Sequence, residues 1–158
     1  MKRNTISFLK IAIFFIGMIV FVCCIFWLPT IANNTAEMNP DYAYLKIPVL
    51  LGLYISVIPF TFSLYQAWKL LRYMEGENAF SKLSVISLGY IKNCAITILT
   101  IYVLGIVFLA LVNALHPGIA IIGLIIIFTT LVISFFAAVL QELFKKALQY
   151  KSENELTI

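Results

Sequence analysis

Four long apolar stretches constrain this chain most strongly. They cover about residues 8–28, 47–68, 93–115 and 118–140. Apart from Lys10, none of them contains Asp, Glu, Lys or Arg. About 20 apolar residues cross the hydrocarbon core of a bilayer as a helix. Because 63% of the chain is hydrophobic and only 11% charged, its composition argues against a water-soluble domain. We therefore predict an all-α fold, an integral membrane four-helix transmembrane bundle that forms a single domain over residues 1–158.

The connections between the stretches differ in length and polarity. Residues 29–46 are predicted to be a polar loop, and His116, Pro117 and Gly118 a tight turn between the last two spans. Residues 69–92 are predicted to be a cytoplasmic loop that includes a short interfacial helix running into the third span. Ser81 is a suitable N-cap for that helix. A helix lying along the lipid headgroups is favoured over a docking surface, for which the candidate residues are Ser81, Lys82, Ser84 and Ser87.

The distribution of basic residues predicts the orientation. Ten of the eleven Lys and Arg residues lie in the amino terminus, the 69–92 loop and the carboxyl tail, and only Lys46 lies on the other side. Under the positive-inside rule, this bias places both termini and the loop in the cytoplasm. The net charge of +4 does not indicate direct nucleic-acid binding, since the basic residues flank apolar runs and form no patch on a soluble domain.

Small and polar residues recur with helical spacing in three of the four spans. The groups that share a face are Gly52, Ser56, Pro59, Ser63 and Gln66 in the second span, Gly89, Asn93, Thr97 and Thr100 in the third, and Gly123, Thr130, Ser134, Ala138 and Gln141 in the fourth. Such faces allow close helix packing and interhelical hydrogen bonds in lipid. They serve equally well within one bundle and between bundles, so a homo-oligomer remains open.

The polar side chains also offer one candidate ligand site. Gln66, Asn93 and Gln141 are predicted to lie near the cytoplasmic mouth, where three amides could hold a small ligand. Packing by interhelical hydrogen bonds is the favoured interpretation. The middle of every span lacks ionisable residues, which argues against ion-coupled transport. The only histidine, His116, lies on the predicted external turn. We therefore expect neither enzymatic activity nor a cofactor.

Several motifs resemble a known family. They are FWLP at 26–29, IPVLLGLYISVIPF at 47–60, LYQAWKLL at 64–71, NAFSKLSVISLGYIKNCAI at 78–96 and AAVLQELFKKALQYKSENELTI at 137–158. The chain thereby resembles the bacterial domain-of-unknown-function family 2975. The resemblance implies four membrane spans, no established activity, and a frequent gene neighbour that encodes a small Xre-type helix-turn-helix regulator.

These observations lead to two functional hypotheses. The first is a non-enzymatic inner-membrane protein, regulatory or stress-related, whose loop and tail face a cytoplasmic partner such as that regulator. The alternative is a small transporter, channel or immunity-type membrane protein whose polar faces line a path.

Overall fold

The fold consists of long helices that run back and forth. The computed structural model describes residues 3–76 and 79–157. The helices are α1 (Arg3–Val22), α2 (Leu28–Met38), α3 (Lys46–Glu75), α4 (Lys82–Leu111) and α5 (Pro117–Leu156). A π-helical turn, Cys23–Trp27, joins α1 to α2, and a 3₁₀ helix, Pro40–Leu45, leads into α3.

Four helical segments are long and apolar enough to cross a membrane. They are Arg3–Met38, Pro40–Glu75, Lys82–Leu111 and Pro117–Leu156. The all-α, four-span membrane fold predicted from composition is therefore confirmed. We call the end of the molecule where α3 ends, α4 begins and α5 ends the waist end, and the opposite end the far end.

The helices extend well beyond the predicted spans at the waist end. In particular, α4 is continuous from Lys82, so residues 82–92 are its first three turns. A separate short interfacial helix is not found in the part of the chain that the structure describes. The predicted N-cap is confirmed, because the Ser81 hydroxyl accepts a hydrogen bond from the Ser84 N–H at 3.3 Å. Once α4 has started there, no proline interrupts it before Leu111, and its helical hydrogen bonds continue.

The predicted polar loop at residues 29–46 is wrong for most of its length. Residues 28–38 are helical, and Pro29 is accommodated in the first turn of α2 without a break in the helix. In the preceding π-helical turn, the Leu28 N–H donates to the Cys23 carbonyl five residues back. The carbonyl of Cys24, which lacks the corresponding N–H from Pro29, accepts a hydrogen bond from the Tyr54 hydroxyl of α3 at 2.8 Å.

The helices pack in chain order. The main contacts are those of α1 with α3, α3 with α4, and α4 with α5, so α4 lies between α3 and α5. Ser56 and Gln66 are buried on α3, and Gly123, Thr130 and Ser134 are buried on α5. The predicted small and polar faces of the second and fourth spans therefore point into the protein, as expected.

The corresponding face of the third span points the other way, except at Gly89, which packs against Gln141 of α5. Asn93, Thr97 and Thr100 are exposed, whereas the buried residues of α4 include Ala95 and Ile98. The hydroxyls of Thr97 and Thr100 each donate to a carbonyl of their own helix, four residues back, at 2.9 Å. The interhelical hydrogen bonds expected from this face are thus not formed to α3 or α5 among the described residues.

The turn between α4 and α5 lies at the far end. Asn113 has φ 55°, and the backbone bonds of Asn113 to Ala110 and of Ala114 to Leu109 close a Schellman motif. His116 then caps α5, because its Nδ1 accepts from the Gly118 N–H at 3.1 Å. The short connection makes α4 and α5 antiparallel neighbours, as predicted.

Candidate functional site

A groove runs between the beginning of α4 and the end of α5 at the waist end. Its volume is about 460 Å³. Its lining comprises Lys82, Val85 and Ile86 from α4 and Lys145, Leu148, Gln149 and Ser152 from α5. On each helix these residues follow one another at steps of three or one, so they form one face of that helix. The groove therefore combines an apolar floor with a lysine from each wall.

Local contacts hold the two walls of the groove in place. Ser81 fixes the start of α4 as its N-cap, and the rings of Phe80 and Phe144 meet edge to face at a centroid distance of 4.9 Å. Gln141 joins the walls on the membrane side, since its Nε2 donates to the Val85 carbonyl at 3.2 Å. The groove is thus built on two braced helices.

The residues of the candidate docking surface differ in their exposure. Lys82 is exposed and lines the groove, and Ser81 is half-buried beside it. Ser84 and Ser87 are only 0% and 3% exposed, so including them in an accessible surface was wrong. They lie on the face of α4 that packs into the protein and not on its exposed face. The contribution of α5 was missed, although its stripe from Lys145 to Ser152 has the spacing of a single helical face.

The three amides of the candidate ligand site do not form one hydrogen-bonded group among the described residues. Gln66 is buried on α3 at 4% exposure, whereas Asn93 is exposed on α4. Gln141 accepts a hydrogen bond from Lys92 Nζ at 3.1 Å in addition to its bond to Val85. Gln141 therefore braces α4 against α5, and its partner is a lysine that the sequence analysis used only as a topology signal.

Charged and aromatic side chains also connect α1 to α3 at the waist end. Lys10 Nζ lies 2.5 Å from Glu75 Oε2 and 5.7 Å from the centre of the Trp68 ring. In residues 3–76 and 79–157, no three His, Cys, Asp or Glu side chains converge as they do around a metal ion. The polar features of this end are therefore the groove and the contacts that brace it.

Comparisons with known proteins agree on a membrane protein family. The family model described as a protein of unknown function (DUF2975) matches residues 30–158. The "Uncharacterized membrane protein YoaS" of Bacillus subtilis (strain 168) is 49% identical over 160 residues, and the match covers 100% of both chains. No solved structure gives a significant match. The chain therefore belongs to the DUF2975 family of membrane proteins, whose role is unknown.

Proposed function

We propose that this protein is a non-enzymatic, membrane-anchored binding protein that docks a cytoplasmic partner in the groove between α4 and α5. The partner segment is an amphipathic helix with acidic residues beside its apolar face. The observation that carries this proposal is the combination of an apolar floor with Lys82 and Lys145 on opposite walls. The family resemblance suggests an Xre-type helix-turn-helix regulator as the partner.

The shape of the groove supports a helical partner. Two neighbouring antiparallel helices leave a furrow between them, and a third helix fits such a furrow with its apolar face inward. The position of the groove supports a partner outside the lipid. Since α5 is 40 residues long and about 20 cross the hydrocarbon, its last turns project beyond the membrane.

The charge distribution supports a cytoplasmic location for the waist end and both termini. Four spans bring the two termini and the waist end to one side, and ten of the eleven Lys and Arg residues lie there. Basic residues accumulate on the cytoplasmic side of bacterial inner-membrane proteins. A cytoplasmic regulator could therefore reach the groove.

A pair of charge reversals tests the proposal. Lys145→Glu places a negative charge in the groove, whereas Lys146→Glu makes the same change at an exposed neighbour outside the lining. Binding of the purified regulator to the protein in lipid nanodiscs is measured at two salt concentrations. We expect Lys145→Glu to weaken binding about five- to thirtyfold, because a favourable charge pair becomes a repulsive one. Lys146→Glu should leave binding within about twofold of the wild type.

Two results would contradict the proposal. The first is equal weakening by both variants, which would indicate a general charge effect. The second is no binding of the regulator to the wild-type protein at any salt concentration. A loss confined to Lys145→Glu, and larger at low salt than at high salt, supports docking in the groove.

A further inference from the structure

The outward face of α4 carries an unusual pattern of residues. Between Tyr90 and Leu111 this broad exposed face includes one row of positions at alternating steps of three and four, which is the a/d spacing of a coiled coil. Asn93, Thr97 and Thr100 form the half of this face nearer the waist end, and Leu104 and Val107 continue it toward the far end. All five side chains are exposed although α4 is the helix between α3 and α5.

Of the polar residues on this face, Asn93 begins the third apolar stretch beside Lys92, and Thr97 and Thr100 lie inside that stretch. The two threonine hydroxyls donate to their own helix, but no other described residue forms a hydrogen bond with the Asn93 amide. On the neighbouring helices, the amide of Gln66 of α3 and the hydroxyl of Ser134 of α5 belong to buried residues. An exposed amide in a span is costly unless another helix supplies a hydrogen bond.

We propose that this face of α4 is the interface of a homodimer whose two copies stand side by side in the membrane. All copies insert with the same orientation, so a two-fold axis along the membrane normal places each residue opposite itself at the same depth. An amide contains both donors and an acceptor, and two Asn93 side chains can therefore satisfy each other. The apolar residues at the same spacing supply the packing on the far-end side.

A second copy explains the pattern better than a lipid does. Acyl chains have no hydrogen-bonding groups, and a headgroup beside Asn93 would not reach the whole face. Thr97 and Thr100 lie about 6 and 10 Å deeper along the helix, at a rise of ~1.5 Å per residue. A partner that is polar at several depths matches all three residues, and another α4 has this property.

Disulfide cross-linking tests the interface directly. The background chain has its three cysteines, Cys23, Cys24 and Cys94, replaced by alanine, and is reconstituted in lipid vesicles. Thr97→Cys places a thiol on the proposed interface, and Phe128→Cys places one on the outer face of α5, where Phe128 is 68% exposed. On mild oxidation we expect covalent dimers from the Thr97→Cys chain and at most a small fraction from the Phe128→Cys chain.

A polar-to-apolar substitution tests the role of the amide. Energy transfer between labelled copies in vesicles measures the dimer dissociation constant. We expect Asn93→Leu to raise that constant about five- to thirtyfold, as for other interhelical amide contacts in lipid. Thr129→Leu is the matched control, because Thr129 is exposed on α5 and its hydroxyl donates only to the Ile125 carbonyl. It should leave the constant unchanged.

Several outcomes would overturn the proposal. They are a wild-type protein that stays monomeric at every protein-to-lipid ratio, equal cross-linking of the two cysteine variants, and an Asn93→Leu variant that dimerises as well as the wild type. These tests do not depend on the groove, so they can fail while the proposed function holds.

Discussion

Two glycines, Gly89 of α4 and Gly123 of α5, leave room for the end of a side chain from the facing helix. A Cβ added to Gly123 would lie 2.6 Å from Ile106 Cδ1, and one added to Gly89 would lie 2.7 Å from Gln141 Nε2. Both distances are too short for carbon contacts, so each glycine allows a contact that no larger residue permits without rearrangement. Close approach of this kind is how helices gain van der Waals contact in lipid, where the hydrophobic effect does not drive them together.

The contact of Gly123 with Ile106 leads to a prediction with its own control. Gly123→Ala should destabilise the protein by about 1–3 kcal/mol through overpacking. The higher helix propensity of alanine offsets up to ~1 kcal/mol of this loss. Unfolding in mixed detergent micelles, followed by circular dichroism, measures the change. Gly52→Ala should be neutral or stabilising, because a Cβ there meets nothing within 4 Å.

A second substitution shows whether the contact itself is responsible. Ile106→Val removes the Cδ1 atom that a Cβ at residue 123 would meet. The double variant should therefore lose less stability than the sum of the two single variants. Additive losses would mean that Gly123→Ala acts elsewhere, for example through the backbone of α5.

At the scale of elements, the first helix shows how a proline is accommodated inside a membrane span. Pro29 has no N–H to donate within the helix. The helix forms the π-helical turn Cys23–Trp27 just before it, and the Tyr54 hydroxyl donates a hydrogen bond to the Cys24 carbonyl. In the same turn, the Thr30 hydroxyl donates to the Phe26 carbonyl at 2.7 Å. The proline therefore becomes a point of attachment between the first helix and α3.

Removing the Tyr54 hydroxyl tests this attachment. Tyr54→Phe leaves the Cys24 carbonyl without its donor, and we expect a loss of about 0.6–1.7 kcal/mol in the free energy of unfolding. The same micelle assay measures it. Tyr65→Phe makes the same chemical change at a side chain that is 55% exposed, and should have little effect. Equal losses in the two variants would show that the bond to Cys24 contributes nothing specific.

The elements also show what the sequence could and could not predict. The four spans and the Ser81 cap followed from strong local signals, because a bilayer demands long apolar helices and a free N–H at a helix start favours a hydroxyl. The ends of the helices did not follow from such signals, because polar residues such as those of 33–38 are compatible with a helix in water as well as with a loop. Helix continuation past the membrane depends on backbone hydrogen bonds that hydropathy does not report.

The candidate sites were harder to predict for a different reason. Helical spacing shows which residues share a face, but not which neighbour that face meets. Gln66 and Asn93 each lie on a polar stripe, yet one stripe points into the protein and the other points out. Likewise, the groove joins residues of α4 to residues about 60 positions later in α5, and only the antiparallel packing brings them together.

For the molecule as a whole, both proposals depend on the orientation of the protein in the membrane. The groove is useful to a cytoplasmic partner only if the waist end faces the cytoplasm, whereas the dimer requires only that all copies share one orientation. Labelling of single cysteines in the chain lacking Cys23, Cys24 and Cys94 measures orientation directly. The labelled positions are Glu37→Cys at the far end and Lys82→Cys and Ser152→Cys at the waist end. All three side chains are exposed.

The expected labelling follows from the ten-to-one distribution of basic residues. A membrane-impermeant maleimide applied to intact cells or spheroplasts should label Glu37→Cys, and should label Lys82→Cys and Ser152→Cys only after the membrane is made permeable. Labelling of the two waist-end cysteines from outside would show that the protein has the opposite orientation. That result would exclude docking of a cytoplasmic partner in the groove, but the dimer could still form. Labelling of Lys82→Cys and Ser152→Cys from opposite sides is a stronger contradiction, because an even number of spans cannot separate the start of α4 from the end of α5.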